Sequence, residues 1–246
     1  EGIFTVPDKR RRDLESLPIC SNKERIMHIM AVTASPRGNQ SQTLRLVAAL
    51  ARGVREAGAH VDIVDLCKLK MEYCNACDAC HQTGRCAHHD DIVPLRQKLF
   101  SADGIVLASP NYFRSITAQM KTLIDRLSDV IHCQLFSGKY SCSLSVSGGS
   151  ACNEAADYMN QTLLNYGAWV VGSVSEAMMK GPAAMTAAEQ KAADLGMSLV
   201  DAIKTRKIYP EQQSQHASNA ANFRNLVDMN KARWPHEAGH WAKRTV

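Results

Sequence analysis

Apolar residues along this chain gather into short continuous runs, separated by stretches where they return every third or fourth position. "RIMHIMAVT", residues 25 to 33, is nearly all apolar, as suits a strand covered on both faces of a parallel sheet. A polar loop follows, and then Leu44, Val47, Ala51 and Val54 recur at helical spacing between Ser41 and Gly58, with Gly58 placed to stop the helix. The alternation repeats: "HVDIVDL" reads as a strand, Asp91 to Phe100 as a helix, "GIVLAS" as a strand and Ile116 to Ile131 as a helix. "YSCSLSV" and "AWVVGSV" are two more strands, each followed by a helix, the last opening on "TAAE", where Thr186 would cap and Glu189 complete a capping box. Five strands alternating with helices predict an α/β fold built on a doubly wound, five-stranded parallel sheet.

On this reading residues 1–24 form an N-terminal tail, 25–209 the α/β domain, and 210–246 a polar linker ("EQQSQHASNAANF") leading to a C-terminal helical extension. Trp234 and Trp241 would anchor that extension on the same domain or on a second subunit. "HEAGH" (236–240) matches H-E-x-x-H, the pattern in which two histidines one turn apart bind zinc beside a glutamate base. That reading is set aside: Pro235 and Gly239 weaken a helix there, no carboxylate follows His240 to complete the ligand set, and the longer metzincin pattern is absent.

A chain of 246 residues, 45% hydrophobic and 22% charged, is ordinary for one globular α/β domain with a tail, and no apolar run is long enough to cross a bilayer, so no membrane partner is expected. The basic cluster Lys9 to Arg12 has no apolar stretch after it and does not read as a secretory signal, which makes cytoplasmic the expected location. The net charge of +5 is otherwise scattered and aromatics are only 6%, so there is no basic stripe with interleaved aromatics and no nucleic acid partner is expected. A basic face that docks an acidic protein remains open.

In an open α/β sheet ligands sit at the carboxyl ends of the strands. The first strand ends in "TASPRGNQSQT", where Ser35, Arg37, Ser41 and Thr43 offer hydroxyls and a guanidinium beside a helix N-terminus, a setting that suits a phosphate. The loop is neither a Walker loop nor G-x-G-x-x-G, and an ordinary capped helix start would use some of the same residues. The next strand leads to "CNACDACHQTGRC", with Cys74, Cys77, Cys80 and Cys86 in one polar stretch. Thiolates at this spacing can surround an iron–sulfur cube. Zinc with help from His81, His88 or His89, free or redox thiols, and disulfides are the competing readings, the last disfavoured in a cytosolic setting. Cys20, Cys67, Cys133, Cys142 and Cys152 read as small core residues.

Three motifs in register, Ser35 to Thr43, "SPNYF" at Ser109 to Phe113, and "KTLIDR" at Lys121 to Arg126, resemble the flavodoxin-like NAD(P)H-dependent FMN reductases over about Arg25 to Lys204. The resemblance implies a flavodoxin-like fold in which Ser35, Arg37, Ser41, Gln42 and Thr43 hold the FMN phosphate. Pro110, Asn111, Tyr112 and Phe113 would border the isoalloxazine, with Ser147, Gly148 and Gly149 on its other edge, while Lys121, Asp125 and Arg126 would lock the second loop. Within that family the cysteine stretch is similar to the iron–sulfur flavoproteins, whose compact C-x2-C-x2-C-x4-7-C motif binds a 4Fe-4S cluster. The implied protein is an FMN-dependent oxidoreductase that passes electrons between FMN and the cluster, with no catalytic side chain required because the flavin carries the chemistry. Its implied partners are a ferredoxin-like electron donor or NAD(P)H, and a second copy of the chain in a homo-oligomer, dimer or tetramer. A cluster-free NAD(P)H-dependent FMN or quinone reductase and a non-enzymatic electron carrier are the alternatives.

Overall fold

The computed structural model describes residues 26–244. The predicted tail 1–24 and Cys20 lie outside them. Five strands, β1 (His28–Thr33), β2 (His60–Asp65), β3 (Gly104–Pro110), β4 (Tyr140–Ser147) and β5 (Trp169–Ala177), form one all-parallel sheet in the order β2-β1-β3-β4-β5. The strand–helix alternation predicts a doubly wound parallel sheet, and this strand order is the flavodoxin-like one that the resemblance implies. Successive residues of a strand face opposite ways, so Ile29 and Ala31 enter one core while Met30 and Val32 enter the other, and both faces are apolar as the continuous run at 25–33 requires.

One face is covered by α1 (Gln42–Glu56) and α7 (Pro182–Thr205). Ser41 caps α1, its hydroxyl oxygen accepting the Leu44 N–H at 3.0 Å, and Gly58 ends the turn at φ 86°. The two helices pack backbone to backbone: a Cβ on Gly53 would stand 1.9 Å from the Ala193 carbonyl oxygen, and one on Gly196 would stand 2.3 Å from that of Leu50. Only glycine permits that approach. The helix α7 starts at Pro182, four residues before the predicted cap: Thr186 lies inside it, donating to the Pro182 carbonyl, and Glu189 instead pairs with Arg45 of α1 at 2.7 Å.

The other face carries α3 (Ile92–Ser101), α4 (Ala118–Asp125), α5 (Ser128–Cys133) and α6 (Cys152–Asn165), while the short α2 (Ala79–Thr83) lies in the cysteine loop. The predicted single helix 116–131 is therefore two. The break falls at Arg126 and Leu127, and it turns the Arg126 guanidinium inward, where the residue is 4% exposed. A bidentate pair between Arg96 and Asp129, both buried, ties α3 to α5.

The predicted polar linker is instead part of a helix, α8 (Pro210–Met229), followed by α9 (Pro235–Lys243). Both open on proline, which the first helical turn tolerates because its N–H has no intrahelical partner. The expectation that Pro235 and Gly239 weaken a helix is thus corrected: Pro235 begins one and Gly239 lies within it. Gln212 of α8 lays its side-chain amide along edge strand β5, accepting the Val170 N–H at 2.9 Å and donating to the Val170 carbonyl at 2.8 Å, which covers part of an open edge. No described helix is long and apolar enough to cross a membrane.

Candidate functional site

Because the strands are parallel, the loops after β1, β2, β3 and β4 all leave one edge of the sheet. Side-chain hydrogen bonds tie three of them together. Thr117 donates to the Ala34 carbonyl at 3.0 Å and its N–H is received by Ser109 at 3.0 Å, while Asn111 donates its amide to the Ala151 carbonyl and accepts the Arg114 N–H at 3.0 Å. The backbone N–H of Asn111 reaches the Val146 carbonyl at 2.9 Å.

Between these loops lies a pocket lined by Ser35, Arg37, Gln42, Thr43, Pro110, Asn111, Tyr112, Ser147 and Gly148, with Val146 and Met178. Most residues expected to touch FMN are thereby brought together. Three are not among the lining: Ser41 is committed to capping α1, the Phe113 ring is fully exposed at φ 50°, and Gly149 lies against Met179. The residues present fit a phosphorylated flavin on three counts. Gln42 and Thr43, the first residues of α1, line the pocket, Arg37 is exposed and makes no ion pair among the described residues, and the buried Ser147 hydroxyl has no hydrogen-bond partner among them. A Cβ on Gly148 would meet nothing within 4 Å, so that wall is open. Val146 and Met178 were not singled out from sequence; the one available signal was their position at or just past the carboxyl ends of β4 and β5.

The cysteine stretch stands on the same edge, after β2. Cys74, Cys77, Cys80 and Cys86 all line one cavity, shared with His81, His88, Arg126 and Ser128. Ala76 and Asp78 adopt left-handed φ values of 55° and 61°, a conformation that only surrounding contacts can hold for non-glycine residues. Those contacts begin at the base of the loop, where Lys70 N–H donates to Asp91 at 2.7 Å and Glu72 N–H to Asp90 at 2.8 Å. Arg126 closes it: its guanidinium donates to the Glu72 carbonyl at 2.6 Å, to Asp90 at 2.7 and 3.0 Å, and to the Cys86 sulfur at 3.2 Å. The expected lock on the second loop is therefore a lock on the cysteine loop, while Lys121 and Asp125 form an exposed pair of their own.

Cys80 is half-buried, with its sulfur 3.6 Å from the Ser128 hydroxyl. Burial pushes this thiol up, yet hydrogen bonds from His81 and Ser128 outweigh it and leave the thiol below its ordinary value. The eight described cysteines are free. Among the described residues no three of the loop sulfurs lie within 4.8 Å of one another. His88 Nε2 and Arg126 Nε are buried here without hydrogen-bond partners among the described residues, so the cavity offers a cation and spare polar atoms to an anionic guest. Of the remaining cysteines, Cys133 and Cys142 are buried as expected, while Cys67 is exposed and Cys152 half-exposed at the start of α6.

The histidines of "HEAGH" do not converge. His236 packs against Gly84 and His240 against the Trp241 ring, whereas Glu237 between them is 0% exposed and meets His81 and His132 instead. The partners of Glu237 lie 156 and 105 residues away, beyond any local pattern.

The sequence profile of NADPH-dependent FMN reductases matches residues 27–182. An iron–sulfur flavoprotein of Archaeoglobus fulgidus is 31% identical over 216 residues, covering 85% of this chain and 97% of that protein. One of Methanosarcina thermophila is 29% identical over 137 residues, covering 56% of this chain and 71% of its own length. Among solved structures, the NAD(P)H:quinone oxidoreductase of Methanothermobacter marburgensis superposes with a TM-score of 0.58 at 18% identity over 71% of this chain and 98% of that one, a likeness of fold.

Proposed function

The chain belongs to the NADPH-dependent FMN reductase family, in its iron–sulfur flavoprotein branch, and is an FMN-dependent oxidoreductase; from that premise we propose that it carries a 4Fe-4S cluster on Cys74, Cys77, Cys80 and Cys86 and passes electrons between it and FMN. The observation that carries this reading is the gathering of all four cysteines around one cavity, beside a buried guanidinium, on the sheet edge that also forms the flavin pocket. The four thiolates at this spacing, and an iron–sulfur flavoprotein 31% identical over 85% of this chain, support a cluster rather than a single zinc ion there.

Ser35, Arg37, Gln42 and Thr43, with the first N–H groups of α1, hold the FMN phosphate, and Pro110, Asn111, Tyr112, Ser147 and Gly148 border the ring system. Bound there, FMN supplies exchange of one or two electrons while the cluster supplies exchange of one. What the chain itself does is place the two sites: the Asn111 bridge to Ala151 sets the gap that the ring enters, and Arg126 holds the cysteine loop shut while offsetting thiolate charge. Protein ligands that are sulfur-soft and a nearby cation both favour a reducible cluster over a hard divalent ion. A ferredoxin-like protein or NAD(P)H is the electron donor on this reading, and the working form is a homo-oligomer.

Protein purified without oxygen should hold about four iron and four acid-labile sulfides per chain, alongside FMN, with a broad absorbance that bleaches on reduction. Flavin absorbance alone, with no iron, would replace this reading by a cluster-free NAD(P)H-dependent FMN or quinone reductase.

A further inference from the structure

The Glu237 carboxylate is buried completely, which is costly unless both oxygens find donors. Both do. Its Oε1 lies 2.5 Å from Nδ1 of His81 and its Oε2 3.1 Å from Nδ1 of His132. The two imidazoles stack at 4.9 Å, and the Trp234 ring lies against both at 4.9 Å. A carboxylate on Nδ1 settles which way the imidazole faces and which nitrogen is left for other partners. In His81 that nitrogen is Nε2, 3.4 Å from the Ser128 hydroxyl, which in turn stands 3.6 Å from the Cys80 sulfur.

The same helix holds the cysteine loop at two more points. Arg233, just before α9, pairs with Asp78, and the His236 ring fills the space over Gly84, where a Cβ would come within 2.5 Å of it. The helix α2 that carries Cys80 and His81 has five residues, too few to persist without such contacts. Trp241 completes the attachment by donating its indole N–H to the His132 carbonyl at 3.1 Å.

We propose that Glu237 is a positioning residue for the cysteine loop: by holding Nδ1 of His81 it fixes the imidazole with Nε2 turned to the Ser128 hydroxyl beside Cys80, so that the C-terminal helix is the outer support of one cluster ligand. This rests on the iron–sulfur reading for its consequence, though the orientation of His81 can be measured without any metal. Outer partners of this kind change metal retention by about 10–100-fold when removed.

The test uses the full-length chain and its Glu237→Gln variant, which keeps size and burial but removes the charge. In iron-free protein with nitrogen-labelled histidine, wild type should show His81 protonated at Nδ1 in a hydrogen bond to carboxylate, and the variant should lose that signature while its FMN affinity stays within about twofold. In iron-loaded protein, release of iron to a chelator should quicken at least tenfold, and the cluster reduction potential should shift. Should wild type hold no iron, the iron–sulfur reading fails but the histidine spectrum still decides the orientation. An unchanged His81 spectrum would overturn the proposal, as would unchanged iron release and potential in a variant that loads normally. So would loss of FMN together with iron, which marks a merely structural role. Zinc bound stoichiometrically by a chain with all four loop cysteines replaced by serine, and lost with Glu237→Gln, would overturn it by making His81, His132 and Glu237 a metal site.

Discussion

The Arg126 guanidinium donates to the Cys86 sulfur at 3.2 Å while its other contacts hold Asp90 at the base of the same loop. Its side chain is 1% exposed and that of Asp90 7%. Removing one member of a buried pair leaves the other uncompensated at a cost of about 3–5 kcal/mol. Arg126→Ala should therefore lower the free energy of unfolding by about 3 kcal/mol, measured by urea denaturation, and empty the cysteine loop of iron. Arg126→Lys should recover part of the stability without the paired contacts to Asp90.

The same pair predicts an acid dependence. Burial pushes the Asp90 carboxyl up, but Arg126 and the Glu72 N–H overcome it and hold the group below the ordinary aspartate value. A depressed carboxyl contributes stability that is complete above about pH 4 and is lost as pH falls through the lower folded value. Between pH 5 and pH 2 the wild type should lose more stability than Asp90→Asn, and parallel denaturation curves for the two would refute the assignment.

In the loop after β1, Arg37 and Ser41 separate in role: Arg37 lines the pocket and Ser41 caps α1. Charge-assisted contacts to phosphate are worth about 1.5–3 kcal/mol, so Arg37→Ala should weaken FMN binding at least tenfold with the melting temperature unchanged. Ser41→Ala should do the reverse, costing about 1 kcal/mol of stability through the lost cap and leaving FMN affinity nearly intact. Flavin titration alongside thermal denaturation of each variant separates the two.

Serine at Cys74, Cys77, Cys80 or Cys86 should abolish or convert the cluster spectrum with FMN still bound, because an alkoxide is a poor substitute for a soft thiolate. Serine at Cys133 or Cys142 should leave it alone. Burial pushes the Cys133 thiol up to about 12 and the Cys142 thiol higher still, so both should also resist alkylation in the folded chain while exposed Cys67 reacts.

The Phe113 ring is fully exposed next to Tyr112, which lines the pocket proposed for FMN, and Met179 is also exposed. These are large apolar surfaces for an uncovered rim. The full-length chain should sediment as a dimer or larger at micromolar concentration, and Phe113→Asp should weaken that association. A monomer at that concentration would rule out the expected homo-oligomer.

What the sequence determined by itself is what local periodicity records. Largely apolar runs at 28–33 and 104–110 and the alternating segment at 140–147 read as strands of a parallel sheet, Ser41 and Gly58 bracket α1 as cap and stop, and the cysteine spacing places four thiols on one loop. The parallel order follows from the alternation, and with it the edge where ligands gather. Tertiary structure decided the rest. Whether 210–229 is linker or helix depended on contacts with α5, α6 and β5 that its polar composition does not announce, and whether Ile116 to Ile131 is one helix depended on the inward turn of Arg126. The case of "HEAGH" is sharpest. Its spacing offered two histidines for one ion, but the fold buried the glutamate between His81 and His132, because desolvating a carboxylate demands donors from whichever elements pack around it, and packing brings together residues that no local pattern relates.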